Sequence, residues 1–77
     1  MYMKDRMDIV APLSGRIIEI MVKTGDKVRK DQVVAVLEAM KMDNELIAET
    51  DGTVTAVNVN EGDFISFGTT LIRLEKI

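Results

Sequence analysis

The stretch GRIIEIMVKTGD, residues 15–26, returns in altered form as GTVTAVNVNEGD, residues 52–63. The two copies are 37 residues apart, and they share their first glycine, their closing Gly-Asp pair and several apolar positions between them. A half-chain of this length cannot close a core alone, and two copies are too few for a repeat array, which needs at least about three. The repeat therefore predicts two halves that pack on each other about a pseudo-two-fold axis.

Each half has the composition of β structure. Its apolar runs are rich in β-branched residues and are separated by glycine, aspartate and asparagine. The predicted strands cover residues 15–22, 33–38, 42–48, 52–59 and 69–75. No stretch holds a helical period. The predicted fold class is all-β: a flattened barrel of two four-stranded antiparallel sheets packed face to face, with pseudo-two-fold symmetry.

Turn residues hold matching places in the two halves. Gly25 and Gly62 close the first connection of each half, and we expect them to adopt a positive φ in tight hairpins. Asp31 and Gly68 occupy matching turn positions before the next strand.

The apolar pattern predicts an irregular first strand in each half. Ile17 and Ile20 both match apolar residues of the second half, yet they have opposite parity, so a regular pleat cannot turn both inward. A bulge near Ile18-Glu19, and another near Thr55-Ala56, resolves this conflict and helps a small sheet to curl.

The second long strand of each half has a predicted inner face. Arg73 is expected to face solvent, and its repeat mate Val36 is expected to do the same. Ala35 and Leu37 then point into the core, while Val34 and Val36 form a mild apolar patch outside.

Composition excludes several function classes. The 77 residues make one small domain, with no cysteine and no histidine, which removes disulfides, thiol catalysis and imidazole acid–base chemistry. A self-contained enzyme is therefore disfavoured. The net charge of −3 and the lack of a basic run disfavour nucleic acid. No segment approaches the ~20 apolar residues of a membrane span or forms a signal-peptide core, so we expect no membrane insertion and a cytoplasmic location.

Lys41 lies where the first half must turn and start again. The second half stops soon after Glu75, the repeat mate of Glu38. An exposed lysine is an ammonium ion at neutral pH, and no residue here would activate it as a catalytic amine. Its position suits modification by another enzyme. Met40 and Met42 can provide a soft contact for that enzyme, or can instead fill a gap at the barrel end.

The run Glu38-Ala39-Met40-Lys41-Met42 resembles the attachment motif of biotinyl domains, the biotin carboxyl carrier proteins. The resemblance covers residues 9–75, including Ala11-Pro12-Leu13-Ser14-Gly15, the two Gly-Asp turns and the run from Asn44 to Ala48. It implies a pseudo-symmetric flattened barrel with Lys41 at a hairpin tip. Two departures are that no thumb is inserted after the second strand and that Glu49 stands where relatives often have proline.

The resemblance also implies a role. A biotin protein ligase would attach biotin to Lys41, with Glu38, Ala39, Met40 and Met42 as its recognition motif. The lysine would then carry a carboxyl group from a biotin carboxylase to a carboxyltransferase or decarboxylase, in an acyl-CoA, pyruvate or oxaloacetate system. The carrier itself would not be catalytic. Residues 1–8 would be an extension or linker remnant, and 9–77 the biotinyl domain.

The role of the charges near Lys41 remains open. Glu38, Asp43 and Glu45 can orient partners or can simply keep the surface soluble.

Two alternative functions also remain open. A lipoyl domain has the same fold, but its lysine typically lies between aspartate and alanine. An unmodified barrel-sandwich assembly domain predicts no special tip.

Overall fold

The computed structural model describes residues 6–76, and these form an all-β domain, as predicted. Eight strands are described: β1 (Arg6–Val10), β2 (Gly15–Ile20), β3 (Lys27–Val28), β4 (Val33–Ala39), β5 (Met42–Ile47), β6 (Gly52–Val57), β7 (Phe64–Ile65) and β8 (Thr70–Lys76). Within this part of the chain, no helix is long and apolar enough to cross a bilayer.

The strands form two four-stranded antiparallel sheets, in the orders β1-β8-β6-β3 and β5-β4-β2-β7. This confirms the predicted fold class. Each sheet takes two strands from each half of the chain, so the halves interlock rather than forming one sheet each. Neither half has a complete sheet without the other.

Backbone hydrogen bonds across the interface show the pseudo-two-fold relation directly. The N–H of Gly25 donates to the carbonyl of Val54 at 2.8 Å, and the N–H of Gly62 donates to the carbonyl of Ile17 at 2.7 Å. In the repeat, Gly25 corresponds to Gly62 and Val54 corresponds to Ile17, so the two bonds are equivalent. The two halves therefore hold each other by reciprocal contacts.

The glycine turns have the predicted φ values but not the predicted connection. Gly25 and Gly62 adopt φ of 98° and 93°. The tight hairpins expected there were wrong, because β2 and β3 lie in different sheets, as do β6 and β7. The chain must cross the barrel edge at these points, and a side chain supports the crossing: Asp26 Oδ2 accepts from the Lys23 N–H at 3.0 Å. Asp31 and Gly68 also adopt the left-handed φ of their predicted turns, 73° and 87°.

Both predicted bulges are present. The pairing of β2 with β4 shifts between Ile17 and Glu19, and the pairing of β6 with β8 shifts between Val54 and Ala56. The extra residue lets Ile17 enter the core fully while Ile18 stays partly exposed.

The apolar patch expected from Val34 and Val36 was wrong for Val34, which is fully buried. The pairing of β4 with β5 shifts between Val33 and Ala35, so Val34 and its neighbour Ala35 both turn inward. Period-two reasoning cannot anticipate such a shift. Leu37 is in the core, as expected.

The two sheets enclose one apolar core. Its largest fully buried side chains are Ile17, Leu37, Leu71, Ile72, Leu74, Val34 and Val54. No charged or polar residue in the described part is buried. With so small a chain, burial of about 60% of the unfolded surface must suffice, so close packing matters.

Strand β1 (Arg6–Val10) is tied to β8, and residues 1–5 of the expected N-terminal extension lie outside the described residues. Asp8 lies directly opposite Arg73, and Arg73 Nε donates to Asp8 Oδ1 at 2.9 Å. That hydrogen bond lowers the pKa of the Asp8 carboxyl below its ordinary value, with the charge of Arg73 adding to the effect.

The Asp8–Arg73 pair predicts a pH-dependent contribution to stability. Since the pKa of Asp8 is lowered in the folded protein, its stabilisation is present above the unfolded-state pKa and is lost as the pH falls through the folded value. Asp8→Asn should therefore have a slightly lower melting temperature than wild type at pH 7, and the difference should vanish in acid. An equal difference at all pH values would show that the charge is not responsible.

Strands β2 and β4 approach very closely at Gly15. A Cβ there would overlap the carbonyl oxygen of Glu38 and lie 3.1 Å from Ala39 Cβ. The repeat mate Gly52 is nearly as tight, with Glu75 O at 2.8 Å from its added Cβ. Only glycine fits where two backbones come together in this way.

We predict that Gly15→Ala lowers the free energy of unfolding by about 2–3 kcal/mol, because backbone must move to admit the methyl group. Gly25→Ala is the matched control, since nothing lies within 4 Å of its added Cβ and only the positive φ is strained. Its cost should be about 1 kcal/mol. Urea unfolding measures both, and an equal or smaller loss at Gly15 would contradict the close approach.

Candidate functional site

Lys41 lies in a two-residue turn between β4 and β5. The last paired residues of the hairpin are Ala39 and Met42, which leaves Met40 and Lys41 as the connection. These two residues have φ of 55° and 63°, both in the left-handed region. Positive φ at both central positions is the geometry of a type I′ turn, which usually selects asparagine and glycine. The predicted break between strands is therefore a tight hairpin tip.

The methionines that flank Lys41 project into solvent. Met40 is 84% exposed and Met42 is 66% exposed, so neither fills a gap in the barrel end. Lys41 is exposed as well. Ala39, by contrast, is buried beneath the turn, where β2 passes close to it. Of the five residues in the motif, Ala39 thus supports the turn from below, and the other four are accessible.

Asn44 braces the hairpin below the tip. Its side-chain amide Nδ2 donates to the carbonyl of Met42 at 3.1 Å and to the carbonyl of Leu37 at 3.3 Å, one on each strand. Sequence analysis did not assign this role. The sequence did contain a signal for this role. Asn44 lies two residues before the inward-facing Leu46, so both side chains point to the same side of the strand, and a polar side chain that points inward needs a hydrogen-bond partner.

Carboxylates surround the base of the tip. Glu38 lies directly opposite Asp43 on the exposed face of the hairpin, and Glu45 follows two pairs further down on the same face, opposite Val36. Like charges directly opposite each other destabilise a strand pair, so the arrangement does not serve the hairpin itself. It places an acidic field beside the ammonium group of Lys41.

The chemistry available at the tip is that of one accessible primary amine. In residues 6–76, no group of three or more histidine, cysteine, aspartate or glutamate side chains comes together as a metal site. Two surface depressions of the same region are open to solvent, and Lys41 lines neither of them, although Glu38 lines one. A fixed turn with one flexible, reachable amine is suited to act as a point of covalent attachment.

Several known proteins are similar to this chain in sequence. The family model described as "Biotin-requiring enzyme" matches residues 8–74. The biotin carboxyl carrier protein of Streptococcus mutans is 42% identical over 83% of this chain, which spans 49% of that protein. The biotin/lipoyl attachment protein of Bacillus subtilis is 38% identical over 88% of this chain and 93% of its own length.

Solved structures agree with the sequence matches. A single-chain, multi-domain long-chain acyl-CoA carboxylase superposes on 94% of this chain with a TM-score of 0.88 and 26% identity, although the match covers 7% of that larger protein. The lipoyl domain of the 2-oxoglutarate dehydrogenase complex from Azotobacter vinelandii gives a TM-score of 0.79 with 31% identity, over 90% of this chain and 95% of that domain. The chain belongs to the biotin/lipoyl attachment family.

Proposed function

We propose that this chain is a biotin carboxyl carrier and that Lys41 is its attachment residue. The lysine Nζ would form an amide with biotin, and the attached biotin supplies the capacity to accept and release a carboxyl group. The residues of the chain hold the amine at the end of a hairpin, away from the barrel. They do not take part in the carboxyl transfer.

The strained turn is the observation that carries this proposal. A non-glycine residue in the left-handed region costs roughly 1–2 kcal/mol, and here Met40 and Lys41 both adopt it. Neither side chain gains burial in return. Strain of this kind persists at sites where function requires the geometry. The turn places the Lys41 side chain at the outermost point of the hairpin, where an enclosed active site can receive it.

Recognition by a biotin protein ligase would use the accessible part of the motif. Met40 and Met42 offer flexible apolar contacts on both sides of the lysine. Glu38 and Asp43 offer negative charge at the base of the turn. Ala39 would act through the shape of the turn, since a larger side chain beneath it would displace the tip.

The partners that we propose are the enzymes with which such a carrier would exchange the carboxyl group. A biotin carboxylase would load the carboxyl group, and a carboxyltransferase or decarboxylase would unload it. We propose that these steps take place in the cytoplasm. The relatives include the α chain of human propionyl-CoA carboxylase and a pyruvate carboxylase from Staphylococcus aureus, so an acyl-CoA or a 2-oxo acid is the class of acceptor that we propose.

A lipoyl carrier is the second candidate, because the Azotobacter lipoyl domain shares the fold over nearly its whole length. The residues next to the lysine favour biotin. Both neighbours of Lys41 are methionine, whereas the lipoyl motif that we expected has aspartate before the lysine and alanine after it.

Incubation with a biotin ligase, biotin and ATP tests the proposal. Wild type should gain the mass of one biotinyl group, and Lys41→Arg should gain none, because an arginine cannot form the amide. Lys23→Arg, on the far end of the barrel, is the control and should be labelled like wild type. A wild-type chain that stays unlabelled, or that accepts only lipoate from a lipoate ligase, would refute the biotin assignment.

The strain of the turn predicts a trade between stability and function. The double variant Met40→Asn/Lys41→Gly replaces the turn by the Asn-Gly pair that type I′ geometry prefers. It should raise the free energy of unfolding by about 1–2 kcal/mol and abolish biotinylation. Urea unfolding gives the first result and intact mass the second. A double variant no more stable than wild type would mean that the turn is not strained.

A further inference from the structure

Both phenylalanines of the chain are largely exposed. Phe64, in the edge strand β7, is 82% exposed, and Phe67, in the turn after it, is 73% exposed. Aromatic side chains usually contribute their large apolar surface to a core or an interface. In a domain of this size, leaving both outside forgoes a substantial part of the available apolar burial.

The pseudo-symmetry of the molecule supplies an internal control. At the positions 37 residues earlier, Phe64 is replaced by Lys27 and Phe67 by Lys30. The backbone around them is the same: Phe67 N–H donates to Ser14 Oγ at 2.9 Å, and Lys30 N–H donates to Asp51 Oδ1 at 2.8 Å. The fold therefore accepts lysine at these places, and it does not require phenylalanine.

The same substitution pattern holds for the loop beside them. Leu13, which is 38% exposed, corresponds to Thr50 in the second half. We name the three side chains Leu13, Phe64 and Phe67 the Phe edge. At the end of the barrel where β1 begins and β8 finishes, the corresponding side chains are all polar. The apolar set occurs only at the end that carries Lys41.

The Phe edge lies near the hairpin tip on the same face of the sheet as its carboxylates. Phe64 pairs with Arg16, and Arg16 pairs with Glu38. All three are exposed, so they form one row across β7, β2 and β4. Two strand spacings separate Phe64 from Glu38, which is about 10 Å.

The turn that carries Phe67 is held against the loop of Leu13 by backbone hydrogen bonds. Gly68 N–H donates to the carbonyl of Ala11 at 2.9 Å, Ala11 N–H donates to the carbonyl of Thr69 at 2.9 Å, and Thr69 N–H donates to the carbonyl of Ser66 at 3.1 Å. A surface fixed in this way loses little conformational entropy when a partner binds it.

The outer face of this sheet is acidic. Its exposed charged side chains are the carboxylates Glu19, Glu38, Asp43 and Glu45 and the guanidinium of Arg16. Four negative charges against one positive charge give −3, which equals the formal net charge of the whole chain. A protein that covers the Phe edge must therefore tolerate or complement the negative charge around it.

We propose that the Phe edge is a docking surface for an enzyme that exchanges the carboxyl group with the attached biotin. The complementary surface on that enzyme would be an apolar hollow with lysine or arginine at its rim. The proposal rests on the biotin carrier function proposed above. Aromatic anchors within a polar surround carry much of the binding energy in protein interfaces, and two of them suit a weak, repeated encounter.

The offset of the Phe edge from Lys41 favours this occupant. A ligase must bring the bare lysine to its active site, so it has to contact the turn itself. After modification the arm is much longer, and an enzyme can hold the barrel at β7, two strands away from β4, while the arm reaches its active site. A second copy of the chain fits poorly, because the acidic faces repel and three side chains fall far short of the ~800 Å² per partner of a stable interface.

The test uses Phe64→Gln/Phe67→Gln, biotinylated on Lys41, as substrate for the purified biotin carboxylase and carboxyltransferase of the same organism. The glutamines remove the aromatic surface without adding charge. We expect the KM for the carrier to rise about tenfold or more with at least one of these enzymes, while kcat changes little. Because both side chains are exposed, the melting temperature should stay within a few degrees of wild type.

Met21→Gln is the matched control. Met21 is also an exposed apolar residue, 44% accessible, but it lies at the opposite end of β2 from the tip. Its KM values should equal those of wild type. Adding salt should raise the wild-type KM, because the rim contacts are between charges.

Several results would overturn the docking proposal. They are unchanged KM values with both enzymes, an equally large rise of KM for Met21→Gln, a tenfold slower ligase reaction in the double phenylalanine variant, or a wild-type dimer that this variant abolishes. Each is distinct from failure of the carrier function itself, in which wild type is not biotinylated or its biotin is not carboxylated.

Discussion

The reciprocal hydrogen bonds between the two halves are the constraint on which the rest of the structure depends. Gly25 holds the strand that contains Val54, and Gly62 holds the strand that contains Ile17. Because each sheet takes strands from both halves, neither half can fold into a core by itself. The single hairpin between β4 and β5 joins the halves at one end, and the last strand finishes beside the first at the other. The symmetry therefore leaves one end of the barrel with a continuous tip, and Lys41, the proposed attachment residue, lies in it.

The rigidity beneath the tip explains how the turn can stay strained. Gly15 lets β2 pass against the end of β4, and Asn44 joins the two strands of the hairpin. These contacts hold the backbone at Met40 and Lys41 in the left-handed region. The modifying enzyme and the carboxyl-exchanging enzymes would thus meet one fixed turn, while flexibility is confined to the lysine side chain and what it carries. A loose loop would spread the arm over many directions and lower its effective concentration at any active site.

Much of this could be predicted from the sequence, because a repeat of 37 residues constrains both halves at once. It gave the fold class, the bulges after Ile17 and Val54, and the place of Lys41. It did not predict that each sheet takes strands from both halves, since local sequence patterns do not say which strands pair with each other. The burial of Val34 was missed because a register shift breaks the period of two. The inward parity of Asn44 indicated that its side chain needs a partner, but the sequence does not identify the backbone carbonyl groups that provide it.

The central claim is that Lys41 carries biotin in the cell. The most direct measurement is a peptide mass map of the chain isolated from the organism that makes it. The account predicts the mass of one biotinyl group on the peptide that contains Lys41, and on no other lysine of the chain. A lipoyl group on that peptide, a biotinyl group on a different lysine, or an unmodified Lys41 in cells with active biotin ligase would contradict it.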